Sequence, residues 1–199
     1  MQSNLTKTRK ITYFAVLTAL VVVFQLLCGT LRIGAINLNF SLVPIVVGAM
    51  LLGPLFGSII GLIEGVVVLV MGVTGLDPFT NALFGLEPVV IAAVCLVKTA
   101  AAGAISGLLF KLCEKKNRTL GAFVASAAAP VVNTLIFVIG MLFIQGALVE
   151  LGYTDGTFVS ILTALVGFNF FVELVINLVL APAVLRVACA VDKNFGREQ

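Results

Sequence analysis

Of the 199 residues, 61% are hydrophobic and only 11% are charged, and mean hydropathy is +1.21. A soluble domain of this length has no interior large enough to hide so much apolar surface, which excludes that class. Twelve Lys and Arg stand against nine Asp and Glu, a net charge of +3 with no aromatic-interleaved basic patch, so nucleic acid is not the expected partner. Histidine is absent, which excludes a Ser-His or Cys-His hydrolase.

A membrane-spanning helix needs about 20 apolar residues. The pattern predicts an all-α integral membrane protein: a single membrane domain over 1–199, folded as a six-helix transmembrane bundle with both termini cytoplasmic. The spans are read at 11–28, 41–52, 54–73, 88–111, 120–145 and 158–186. Lys7, Arg9 and Lys10 precede the first. No small-x-small cleavage site follows it, so it is read as a span and not as a leader. Ala15 and Ala19 form a small-xxx-small step within it. The connection 29–39 mixes Arg32, Asn37 and Asn39 with apolar residues.

The second span reaches roughly 18 Å as a helix, so it is tilted, irregular or only part of a crossing. Gly53-Pro54 breaks the chain as a turn or a kink, with the turn preferred. Gly53, Gly57, Gly61 and Gly65 then make three consecutive GxxxG steps, a stripe that lets another helix approach closely. Gly103 and Gly107 offer a shorter version in span four. Residues 74–87 read as a lid-like connector, with Asp77-Pro78 favouring a turn, Gly75 and Gly85 as hinges, and Phe79 and Phe84 as apolar plugs. Ordinary connectors resting on the helix ends are the plainer alternative.

Lys111, Lys115, Lys116 and Arg118 fill the loop after span four, and Arg186, Lys193 and Arg197 follow span six. With the N-terminal group, ten basic residues fall on one side of a six-span bundle, and the positive-inside rule makes that side cytoplasmic. The opposite loops carry Asp77, Glu87, Glu150 and Asp155.

Charges within the spans carry the functional signal. Lys98 lies near the middle of the apolar run 88–109, and Glu64 and Glu173 sit in comparable runs. Such a charge costs roughly 2.5–3.5 kcal/mol on insertion scales, so these residues are turned inward and paired or functional. Asn169, Glu173 and Asn177, spaced i, i+4, i+8, share one face of span six. Asn133 and Thr134 add an amide and a hydroxyl in span five, and Thr99 adds another hydroxyl beside Lys98. At 1.5 Å per residue, Glu64, Lys98 and Asn169 all fall about 15 Å deep. This layer could hold a polar small molecule, or be a private ion-pair network that fixes helix register. Candidate substrate-binding residues are Lys98, Asn133, Asn169, Glu173 and Asn39.

Cys28, Cys95, Cys113 and Cys189 are scattered and form no CxxC, and no cluster has metal-ligand spacing, so no metal and no cofactor is expected. There is no G-x-x-x-x-G-K-[ST], so ATP is not bound through a P-loop, and no enzymatic activity is expected.

A basic start leading into Ala15-x-x-x-Ala19, followed by the run Pro44-Ile45-x-x-Gly48-Ala49 and Leu52-Gly53-Pro54-x-x-Gly57-x-x-x-Gly61, resembles the substrate-binding S-components of energy-coupling factor (ECF) vitamin transporters. The run looks like the corresponding region of riboflavin, folate and pantothenate members. The likeness covers the whole chain in layout and 7–65 by motif. It implies high-affinity capture of a water-soluble vitamin from outside. It also implies docking on a membrane coupling protein driven by two cytoplasmic ATPases, with the subunit toppling in the membrane to release its cargo. Ala15 and Ala19 match the family's docking motif. Asn39-Phe40-Ser41 and Glu64-Gly65 depart from riboflavin members, and the sequence has no tryptophan, unlike many thiamine binders. Lys98 mildly favours a carboxylate-bearing vitamin, pantothenate or folate. The alternatives are a stand-alone proton- or ion-coupled carrier using Glu64 and Glu173, or a non-transport subunit whose charges only fix packing.

Overall fold

The computed structural model describes the backbone of residues 7–28, 32–33, 36–37 and 39–195, and side chains for 7–27, 39–187 and 189–190. Arg197, and the side chains of Cys28, Arg32, Asn37 and Lys193, lie outside the described residues.

Helix α1 runs Lys7–Cys28. Two-residue strands β1 (Arg32–Ile33) and β2 (Ile36–Asn37) pair antiparallel in the connection that follows. Then come α2 (Leu42–Leu52), α3 (Pro54–Val73), α4 (Pro78–Leu86), α5 (Pro88–Cys113), α6 (Arg118–Phe143), α7 (Gln145–Glu150) and α8 (Phe158–Ile161). A π-helical turn, Leu162–Val166, joins α8 to the last helix, α9 (Gly167–Phe195).

Five stretches are long and apolar enough to cross a membrane: α1, α3, α5, α6, and α8 through α9. The sixth expected span, α2, is an 11-residue helix buried at every position but Val43. Its length is about 16 Å, too short to cross alone. The span expected over 120–145 ends at Phe143, and the next six helical residues split off as α7. The span expected over 158–186 is interrupted by the π turn.

Local chemistry explains the breaks. Gly53 adopts φ 98°, a conformation open to glycine at little cost, and Pro54 at the first position of α3 needs no N–H partner. The chain therefore turns sharply with no loop. Asn117 caps α6 by accepting the Leu120 N–H at 3.1 Å. Pro130 and Pro182 lie inside α6 and α9, where each removes a helical hydrogen bond.

Helices α3 and α5 pack backbone against backbone. A side chain at Gly61 would run into the carbonyl of Thr99, at Gly65 into that of Cys95, and at Gly57 into Gly103 and Ala49. Thr99 ties the seam by donating its hydroxyl to the Gly61 carbonyl at 2.7 Å. Gly53 itself is in the turn. On α1 the inward stripe is Leu17, Val21 and Gln25, while Ala15 and Ala19 lie on the exposed face with Ile11, Val16 and Leu20.

Two apolar cores result. One gathers α1, α2, α3 and the halves of α5, α6 and α9 near the basic loop 111–118. The other joins α4, α7 and α8 to the opposite ends of α3, α5 and α6. The polar layer lies between them.

Candidate functional site

The connection 74–87 is more ordered than a lid loop. Pro78 starts α4, and Phe79, Thr80 and Leu83 turn its inner face into the bundle. Asp77 accepts the Thr80 hydroxyl, donates its N–H to the Met71 carbonyl at 3.1 Å, and Asn81 donates to the Gly72 carbonyl at 2.7 Å. Those bonds clamp α4 over the end of α3. Phe79 meets Tyr153 at 5.0 Å and Phe137 at 6.3 Å between ring centroids, so α4, α6 and the connection after α7 share one aromatic cluster.

One cavity lies beneath this cover, and a second adjoins it. The first, open at its mouth, has apolar walls from Val68, Leu83, Ile91, Val94 and Met141, with Gln25, Asp77 and Thr80 as polar groups. The second, also open on one side, is lined by Asn133, Thr134, Asn169 and Glu173 together with Phe170 and the π turn's Leu165 and Val166. Lys98, Asn39 and Phe137 line both. All five candidate binding residues, Lys98, Asn133, Asn169, Glu173 and Asn39, therefore meet at the second cavity.

Lys98 is half-buried one turn below the apolar wall of α5, about 15 Å from the helix start. Its ammonium lies 5.7 Å from the centroid of the Phe137 ring. It makes no ion pair with any described carboxylate. The inward face of α9 carries Asn169, Glu173 and Asn177, all buried, and Asn177 returns its amide to the Glu173 carbonyl at 2.9 Å. Asn133 is buried with its Oδ1 unpartnered among the described residues.

Glu64 corrects the expectation of one polar layer around a common space. It is fully buried and lines neither cavity. Asn39 donates its side-chain amide to Glu64 at 3.0 Å, and Ser41 lies 3.3 Å from the same oxygen. The backbone N–H of Asn39 donates to Glu173 at 2.9 Å, and the Ser41 hydroxyl lies 3.0 Å from Gln25 Oε1 and 2.6 Å from Asn39 Oδ1. The end of the α1–α2 connection is thus fastened to α1, α3 and α9 at once, and it seals Glu64 from the cavities.

Gln25, Ser41 and Phe137 were not singled out as site residues from sequence. Gln25 is an amide in an otherwise apolar helix, and Phe137 lies one turn beyond Asn133, so both signals were present in the helical spacing. Among the described residues no group of three or more His, Cys, Asp or Glu side chains is placed to hold a metal ion.

The model of one protein family, "ECF transporter, substrate-specific component", matches residues 9–185, which take in every element from α1 into α9 and both cavities. No curated protein and no solved structure matches the chain. The family match spans nearly the whole sequence, and the chain belongs to the substrate-specific components of ECF transporters.

Proposed function

We propose that this chain captures a water-soluble vitamin or related small molecule from outside the cell, in the cleft around Lys98, for ATP-driven uptake. Members of its family are transporter subunits, not enzymes. The observation that carries the reading is the ammonium of Lys98: it stands at the junction of two adjoining cavities without a carboxylate partner among the described residues. A half-buried charge at this depth of a membrane bundle is costly unless a partner or a ligand completes it. A carboxylate-bearing cargo, with pantothenate or folate as the named candidates, answers that need.

The subunit sits in the cell membrane with both termini cytoplasmic. Helix α2 completes a six-helix bundle from inside, and the basic loop 111–118 faces the cytoplasm. The cleft then opens outward, since α4 is at the end of α5 opposite that loop. The partners are the ECF membrane coupling protein and its two cytoplasmic ATPases. Ala15 and Ala19 face outward on α1, where small side chains permit close approach of another helix.

Mass spectrometry of the detergent-extracted protein after growth in rich medium tests this directly. A stoichiometric vitamin that is lost in Lys98→Met establishes capture. Failure to bind any B vitamin on titration, or uptake into vesicles driven by an ion gradient without the ATPases, would overturn it.

A further inference from the structure

Every candidate binding residue comes from α5, α6, α9 or the end of the α1–α2 connection, and none from α1. One side chain of α1 nevertheless lines the first cavity. It is Gln25, 7% exposed, on the inward stripe with Leu17 and Val21. An amide in so apolar a helix is costly unless its oxygen and its N–H groups are met. The Ser41 hydroxyl lies 3.0 Å from the oxygen. Among the described residues the nitrogen has only the Met71 sulfur, at 4.0 Å, and a thioether is a weak acceptor.

Fastening Ser41 does not account for this amide. The Ser41 hydroxyl lies closer to Asn39 Oδ1, at 2.6 Å, and the same oxygen accepts the Ser41 N–H at 3.1 Å. Other polar groups of the first cavity are engaged, Asp77 with Thr80 and the Asn39 amide with Glu64. Lys98, over the Phe137 ring, and Gln25, against the Met71 sulfur, remain as donors with weak partners. The walls around them are largely apolar, so an oxygen brought in by a bound molecule is the acceptor that would complete Gln25.

We infer that Gln25 is a specificity-determining residue of the binding site: its amide N–H donates to a hydroxyl or carbonyl oxygen of the captured molecule inside the first cavity. This rests on the proposed function and adds α1 to the elements that hold the cargo. The helix that presents Ala15 and Ala19 on its outer face then has cargo on its inner face, at Gln25.

The test is a titration of the purified full-length protein with riboflavin, thiamine, pantothenate and folic acid, in the native sequence and in Gln25→Met, Ser41→Ala and the double variant. Methionine keeps the length and apolar packing of the side chain and removes the amide. For the vitamin that binds, Gln25→Met is expected to weaken affinity about tenfold, and by the same factor in the Ser41→Ala background. The melting temperature of the vitamin-free protein should hardly change. Unchanged affinity in Gln25→Met overturns the inference and leaves capture intact. So does a loss that vanishes in the Ser41→Ala background, since the amide would then act only by fastening the connection. Nuclear magnetic resonance of native protein isotope-labelled at its four glutamines needs no variant. The bound vitamin should shift a glutamine side-chain amide signal, and no shift in any of them overturns the inference as well. Binding of none of the four vitamins overturns this inference together with the proposed function.

Discussion

Asn39 and Glu64 are 25 positions apart and joined by a 3.0 Å hydrogen bond from the asparagine amide to the buried carboxylate. The backbone N–H of the same asparagine reaches Glu173, 134 positions away, at 2.9 Å. One residue therefore links α3 to α9 through the end of the α1–α2 connection. It also lines both cavities, so the fastening and the binding surface are the same piece of chain.

Asn39→Ala separates the two bonds. It deletes the amide that reaches Glu64 and keeps the N–H that reaches Glu173. A hydrogen bond to a charged partner is worth about 1.5–3 kcal/mol, and a loss of that size is expected in thermal unfolding. Ligand dissociation should quicken as well, since the connection covers the cavity. Unchanged stability and unchanged off-rate would show that the Asn39–Glu64 contact contributes nothing.

The aromatic cluster under α4 gives a second outcome. Phe79 is buried against Phe137 and Tyr153, and α4 has little else on its inner face besides Thr80 and Leu83. Removing a buried phenylalanine costs about 3–5 kcal/mol where the site cannot collapse. In Phe79→Ala the cost should be local, because α4 can lift while the long helices stay packed. Faster ligand release with a nearly unchanged melting temperature is expected. Release kinetics equal to those of the native protein would rule out α4 as a cover.

Much of this was legible in the sequence. Apolar length predicts α1, α3, α5, α6 and the α8–α9 stretch, because lipid forces the backbone to satisfy itself within each helix. Gly53-Pro54 reads as the turn it makes. Lys98, Asn133, Asn169 and Glu173 stand out because polar groups are expensive in such runs. The withdrawal of Glu64 behind Asn39 was not legible. It depends on where an irregular connection lands, and no periodicity encodes that. Helix α4 was hidden for a related reason: Asp77-Pro78 favours a turn and a helix start alike, and only contacts with Met71, Gly72 and Phe137 decide between them. The π turn beside the second cavity leaves no mark in composition.

The α3–α5 seam separates glycines that need to be glycine from those that do not. At Gly61 a methyl group would collide with the Thr99 carbonyl, which is backbone and cannot swing aside. At Gly85 on α4 nothing lies within reach of an added methyl. Gly61→Ala should cost about 1–3 kcal/mol through overpacking and separate the Thr99 hydroxyl from its acceptor. Gly85→Ala should leave stability unchanged or raise it slightly. Melting curves of the two detergent-solubilised variants check the contrast, and equal behaviour would mean that the helices are not in backbone contact.

Binding and coupling should separate on α1. Ala15 and Ala19 are exposed on the face opposite Leu17, Val21 and Gln25, and of these only Gln25 touches a cavity. A bulky side chain on the outer face adds volume where the bundle has no neighbour, so internal packing is not disturbed. A second helix seated there would be held off, because association within lipid depends on close backbone approach over small residues. Ala15→Trp is therefore expected to leave ligand affinity within about twofold, a difference of under 0.5 kcal/mol. ATP-driven uptake in vesicles carrying the coupling protein and both ATPases should fall more than about tenfold, and pull-down of the coupling protein should fail with it. The two readouts together exclude misfolding, which would lower affinity too. Normal uptake by Ala15→Trp would remove this face as the docking surface and turn the search to the exposed side of α3, where Leu55, Ile59, Leu62 and Val66 also face outward.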